Sequence, residues 1–117
     1  MEDRQFSFER LAAWQCALDA LQVADAVAAQ VPRPYGELAD QLRQASVSIV
    51  CNLAEGVGKD GKDQLRFFRI ARGSTYETAA LVEAALRLRL IDIELRSRAL
   101  QPLLSVAALL TRLIRPQ

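Results

Sequence analysis

Glu55 and Glu77 are the side chains in this 117-residue sequence best suited to chemistry. Each interrupts a segment that otherwise reads as an apolar helix. Two carboxylates facing each other inside a helical bundle could hold a pair of metal ions, or share acid and base roles. Such di-metal bundle sites are built on Glu-x-x-His motifs, and this sequence contains no histidine. The commonest general base and metal ligand is therefore missing, and no Ser-His or Cys-His nucleophile can be assembled. Two cysteines, Cys16 and Cys51, fall short of the roughly four ligands a zinc site needs. The expectation is no catalytic residue, no metal and no cofactor.

A second motif deserves its own test. Gly56 to Asp63 reads G-x-x-x-x-G-K-D, one residue away from a phosphate-binding loop. That loop needs Ser or Thr at the Asp63 position to hold magnesium, and a strand before it. Here an acid would repel phosphates and a helix precedes. The segment reads instead as a turn carrying Lys59 and Lys62.

The polar residues around Glu55 form a row. Gln41, Ser48, Asn52 and Glu55 fall on one flank of an apolar stripe when placed at helical spacing. Ser74 and Glu77 interrupt the stripe of the next segment. A half-buried carboxylate costs several kcal/mol unless it is paired. These six residues read as a structural polar network that fixes helix register, as a polar core group does in a coiled coil, or else as a row of which part faces a subunit interface or channel and contacts a partner. Arg66, Arg69 or a hydroxyl is expected to meet Glu55 or Glu77.

Four segments of helical period must position these residues. Ala, Leu, Gln, Arg and Glu dominate the composition, which favours helix. The first segment covers about residues 8–30, with Leu11, Trp14, Leu18 and Leu21 on one face and Ser7 as a cap. Pro32 and Pro34 break it. The second covers about residues 35–57 on a stripe of Leu38, Leu42, Ala45, Ile49 and Leu53. Gly56 and Gly58 are expected to end it in a left-handed turn. The third covers about residues 62–90, with Phe67, Ile70, Ser74, Glu77, Leu81, Ala84 and Leu88 inward. Asp92 caps the fourth, about residues 93–114, in which Pro102 should cause a kink or mark a late start. Short connections between four such rods predict an all-α, antiparallel up-down-up-down four-helix bundle, one domain over residues 1–117.

The two cysteines read as free buried thiols in a reducing compartment. No apolar run reaches a membrane-spanning length, and no secretory leader is seen at the start. A cytoplasmic protein with no membrane partner is expected.

Net charge is +1, but it is unevenly spread. Residues 1–58 carry four arginines and eight acids, a net −4; residues 59–117 carry eleven Lys and Arg and six acids, a net +5. Lys59, Lys62, Arg66, Arg69 and Arg72 follow one another at three- and four-residue steps. With Arg43 they are the candidate nucleic-acid-binding residues, a basic ridge able to track phosphates. Asp60 and Asp63 dilute it. Phe67 and Phe68 are the nearest aromatics, so readout of single-stranded sequence by stacking is not expected.

The stretches "QLRQASVSIVCNLAEGVGK" and "RFFRIARGSTYET", with the early "FERLAAWQCAL", resemble a family of bacterial four-helix-bundle proteins. The family is named for proteins encoded in intervening sequences of large-subunit ribosomal RNA genes. The most specific parts of the resemblance are S-I-x-x-N-x-A-E-G at Ser48 to Gly56 and F-x-x-I-A-x-G-S at Phe67 to Ser74. The accessory variability determinant of diversity-generating retroelements belongs to the same group. The resemblance implies a closed homopentamer with a central channel. For the retroelement protein it implies contact with a reverse transcriptase and nucleic acid. The chain departs from the pattern at Gln44 and Val50, where a basic residue and a proline are common.

The expected function is thus a non-enzymatic, ring-forming, pentameric binding or scaffold protein. Leu86, Leu90, Ile91, Leu109 and Leu110 are candidates for subunit contacts. The alternative is a nucleic-acid-binding accessory protein that uses the basic ridge, with nucleic acid or a nucleic-acid enzyme as partner.

Overall fold

The computed structural model describes residues 6–115. After a short 3-10 turn over Ser7–Arg10, four helices follow: α1 (Ala12–Gln30), α2 (Gly36–Val57), α3 (Gly61–Arg87) and α4 (Ile93–Ile114). No strand occurs among the described residues. Each helix packs on its sequence neighbours and α4 closes back on α1, while the diagonal pair α1 and α3 barely meet. Cross-helix pairs fix the directions. Ser48 meets Ser74 while Gly56 lies against Phe68, so α2 and α3 run antiparallel. Glu83 meets Arg96 while Arg72 meets Thr111, so α3 and α4 do too.

The α2 stripe is inward as expected, with Leu42, Ala45, Ile49 and Leu53 buried and Leu38 half-buried. Two other helices are rotated relative to the sequence expectation. In α3 the buried positions are Phe68, Ala71, Thr75, Thr78, Val82 and Ala85, each one residue after its expected counterpart. One residue is about 100° of helix rotation. In α1 the core face is Ala13, Ala17, Ala20, Ala24, Val27 and Ala28, with Leu11, Trp14, Leu18 and Leu21 half-buried beside it. The reason is the same in both. Small side chains let neighbouring helices approach closely, so alanine and threonine take the centre and larger side chains splay to the flanks. The threonines bring no unmet polar atom inward. Thr75 donates its hydroxyl to the Ala71 carbonyl at 2.8 Å, and Thr78 to the Ser74 carbonyl at 2.7 Å.

The helix ends also differ in part. Ser7 caps nothing; α1 begins after Leu11, with no side-chain cap. Helix α2 runs through Gly56 and ends at Val57, and Gly58 has an ordinary φ of −80°. Gly56 is needed for space: a Cβ there would lie 2.7 Å from Cε1 of Phe68 and 3.2 Å from Cβ of Phe67. The turn into α3 is held by Gln64. Its side-chain amide donates to the carbonyls of Gly56 (3.1 Å) and Lys59 (3.0 Å) just where α2 ends, and the Gly56 carbonyl also accepts from the Lys59 amide at 3.0 Å. Left-handed backbone appears at Gly61 (φ 56°) and at Arg89 (φ 63°). Asp92 does cap α4, its carboxylate accepting from the Leu95 amide at 2.8 Å. Helix α4 starts at Ile93 and continues through Pro102, so the proline does not mark a late start.

Candidate functional site

The run from Ser48 to Gly56 and the run from Phe67 to Ser74 face each other across the α2–α3 seam. Three of the six expected network residues meet there. The hydroxyls of Ser48 and Ser74 are 2.8 Å apart. Asn52 donates its amide to the Ser48 carbonyl at 2.9 Å and to the Ser48 hydroxyl at 3.0 Å. All three are half-buried. They form a short chain of hydrogen bonds that ties one turn of α2 to the middle of α3.

Gln41, Glu55 and Glu77 lie outside that chain. All three are exposed. The α3 rotation explains Glu77: with Thr78 inward, Glu77 turns out to solvent. Glu55 sits on the outward side of Asn52, so the expected desolvated carboxylate does not arise. The expected ion pairs to these acids are not made either. Arg66 instead pairs with Asp63 one turn earlier, at 3.1 Å, and lies 4.4 Å above the Phe67 ring. No hydrogen bond or ion pair links Arg69 to Glu55 or Glu77. The two glutamates therefore do not form a carboxylate pair with ligand geometry. Among the described residues no group of three His, Cys, Asp or Glu side chains could hold a metal ion.

The basic ridge is only partly assembled. Lys62, Arg66 and Arg69 lie within about 60° on α3, opposite its buried face. All three are exposed, as is Lys59 in the preceding turn. Arg72 leans toward α4, where it donates to the Thr111 hydroxyl at 3.4 Å. Arg43 is separate, held by Asp25 of α1 at 3.0 Å on the far side of α2. Arg66 spends part of its charge on Asp63. What remains is a short basic edge.

The thiols and the subunit-contact candidates need correction. Cys16 is half-buried and Cys51 is exposed, so neither is a core thiol; both are free. Ile91 and Leu110 are fully inside this bundle, and Leu86, Leu90 and Leu109 pack against its core. The large apolar side chains that reach solvent are others: Phe6 at the start of the described residues, Ile70 and Leu88, which were expected inward on α3, and, on the outer faces of the helices, Leu104 (65% exposed), Ile93 (61%), Tyr76 (58%) and Val47 (47%) among them. Sequence reasoning passed over these last four because they fall off the inward stripes. That same off-stripe position is the signal that could have found them, since an apolar residue on a helix's outer face has no use in its own core.

Two apolar grooves hold three of these side chains, Tyr76, Leu104 and Val47. One runs between α3 and α4, floored by Thr75, Ala79 and Leu103 and rimmed by Tyr76 and Leu104. The other runs between α1 and α2, where Leu18, Leu21 and Val47 surround Ser46. Both are open to solvent. The guanidinium of Arg96 hydrogen-bonds Glu83 and holds that carboxyl below its ordinary range, and Glu83 raises Arg96 in turn. No described helix is long and apolar enough to cross a membrane.

The geometry is that of a bundle stitched by a serine–asparagine seam, with its reactive side chains apart and its spare apolar surface in two grooves. No curated protein matches the chain. Residues 9–112 match the family model of the 23S rRNA-intervening sequence proteins, a span that includes all four helices and both halves of the seam. The chain belongs to the 23S rRNA-intervening sequence protein family.

Proposed function

We propose that this protein is a non-enzymatic helical module that assembles with copies of itself and serves as a binding or scaffold protein. The observation that carries the reading is the set of large apolar side chains left in solvent: Leu104, Ile93, Tyr76 and Val47. A small monomer gains nothing from exposing them, and burial between copies would stabilise the assembly by about 25 cal/mol for each Å² of apolar surface covered. A ring of five is the form that the resemblance implies. A role without catalysis is supported by the separation of Glu55 from Glu77, both in open solvent, and by the lack of any histidine. The free thiols of Cys16 and Cys51 suit a reducing, cytoplasmic setting. Light scattering on the purified chain tests the proposal. A mass several times the 13.0 kDa of one chain is expected, and a monomer mass overturns it.

A second reading rests on the basic edge. Lys59, Lys62, Arg66 and Arg69 stand clear of the core, and repetition around an assembly would multiply their weak individual contacts with phosphates. The partner is then nucleic acid, directly or alongside a nucleic-acid enzyme. Filter binding over a salt series decides it. Affinity that falls steeply with salt supports this role, and no binding at low salt ends it.

A further inference from the structure

The fold brings to one end of the bundle aromatic and basic groups that lie far apart in the sequence. Phe6, Phe8 and Trp14 form a continuous stack. The Phe6 and Phe8 ring centroids are 5.4 Å apart, with planes only 8° from parallel. Phe8 in turn meets Trp14 at 4.5 Å, tilted by 57°. Phe8 and Trp14 are half-buried, whereas Phe6 is 70% exposed. Phe8 covers one face of the Phe6 ring, so the open face is the other one. The 3-10 turn that carries Phe8 packs against α2 as well as α1. Asp25, late in α1, pairs with Arg43, early in α2, so the start of α1 stands beside the end of α2. The turn with Lys59 and the first turn of α3 with Lys62 follow at that same end. A second flat group sits one turn further along α3, where the exposed Arg66 guanidinium lies 4.4 Å above the Phe67 ring.

An exposed ring gains little from its own core. Phe6 is instead held in a fixed orientation by the rings beneath it, which suits it to receive another flat π system in an offset stack. The neighbours at this end decide which kind. Lys59 and Lys62 are exposed and in no ion pair among the described residues. Glu9, Asp60 and Asp63 moderate their field, and Asp63 draws on Arg66. Flat rings beside free cations match a base joined to a phosphate. A duplex keeps its base faces covered, so the strand must be unpaired. We propose that Phe6 is a stacking platform for an unpaired base of a single-stranded nucleic acid whose backbone passes Lys59 and Lys62, with the Arg66–Phe67 pair as a second plane. This rests on the nucleic-acid reading above and names the form of nucleic acid and the residue that holds it. It also revises the expectation drawn from Phe67 and Phe68 alone, since Phe6 joins the end of the basic edge only through the fold.

The test measures binding of labelled oligo(dT) and oligo(U), about 15 nucleotides long, to the full chain and two variants at low salt. An abasic strand of equal length, with the same phosphates and no bases, is the control. Phe6→Leu keeps an apolar side chain and removes the ring; Phe6→Tyr keeps the ring. Position 6 is exposed, so both variants should match the parent in helical circular dichroism. Phe6→Leu is expected to bind both oligonucleotides about tenfold more weakly. Phe6→Tyr should bind them like the parent. The salt dependence should be the same in all three, because no phosphate contact is removed. The abasic strand should bind the parent no better than it binds Phe6→Leu. Unchanged affinity in Phe6→Leu, an equal loss in Phe6→Tyr, or an abasic strand bound as tightly as oligo(dT) overturns the platform and leaves the basic edge standing. A parent that binds none of the strands overturns both.

Discussion

Gly56 of α2 lies directly beneath the Phe68 ring of α3, so near that a single methyl on the glycine would sit 2.7 Å from Cε1. Phe68 is buried, only 4% exposed, and cannot simply swing aside. The Phe67 Cβ, 3.2 Å away, is fixed to the α3 backbone. Replacing Gly56 with alanine should therefore push α2 and α3 apart. Overpacking of this kind costs about 1–3 kcal/mol, against about 0.5–1 kcal/mol gained by removing a glycine from a helix interior. Gly56→Ala is expected to be destabilised by about 1–2 kcal/mol as the balance of those terms. Urea unfolding measures it, and a variant as stable as the parent would show that the seam can open without cost.

The Ser48–Ser74 pair is the one hydrogen bond between side chains of α2 and α3 found among the described residues. Removing one hydroxyl leaves the other half-buried, with Asn52 still beside Ser48. Ser48→Ala and Ser74→Ala should each cost about 0.5–1.5 kcal/mol. Because they share one bond, the double variant should lose less than the two singles together, by about 0.5–1 kcal/mol of coupling. A double-mutant cycle in denaturant checks this. Additive losses would mean that the hydroxyls are satisfied by solvent independently.

The four helices, the α2 stripe, the Asp92 cap and the antiparallel order were legible from residue pattern. The rotation of α1 and α3 was not. Apolar-weighted periodicity points to the larger side chains, and in this bundle those flank a core of alanine and threonine: Ala17 and Ala20 in place of Leu18 and Leu21, Thr75 and Thr78 in place of Ser74 and Glu77. Threonine enters the core because its hydroxyl can bond the preceding turn, a local fact that hydropathy does not register. The candidate site suffered from the same error. Placing Glu77 inward made it a network member, whereas a rotation of about 100° leaves it in solvent. Ser48, Asn52 and Ser74 were found because polar residues at a helix flank need a partner whichever way the neighbouring helix turns. Gln64 carried no periodic signal at all; its role depends on the path of the turn it spans.

Acid should weaken the α3–α4 contact through Glu83. Arg96 grips that carboxylate with two nitrogens, at 2.7 and 3.0 Å, and holds its pKa below the ordinary 4.5. A carboxyl with a depressed folded-state pKa stabilises the fold above the unfolded value. That contribution is lost as pH falls from about 4.5 through the lower folded-state value. Arg96 shifts upward and stays charged throughout, so the acid limb belongs to Glu83. The pair is solvent-exposed, which keeps the effect small and salt-sensitive. Glu83→Gln should be slightly less stable than the parent near neutral pH, with the difference shrinking on acidification. Thermal melts across that range test the sign. A gap that widens in acid would mean that Glu83 is not held in its charged form by Arg96.

Arg89 offers a stabilising change. It adopts φ 63° just after α3, in the left-handed region that L side chains disfavour. The surrounding bonds show why the backbone must turn there. The Arg89 amide donates to the Leu86 carbonyl at 2.9 Å and the Leu90 amide to the Ala85 carbonyl at 2.9 Å, the paired closure of a helix end that usually places glycine at this position. The Arg89 side chain is exposed and makes no ion pair among the described residues. Glycine relieves a strain of about 1–2 kcal/mol and gives some of it back through greater freedom of the unfolded chain. Arg89→Gly should therefore raise stability by about 0.5–1 kcal/mol, a shift of several degrees in Tm for a chain of this size. A lower Tm would mean that the turn relies on the arginine side chain for something beyond its backbone geometry.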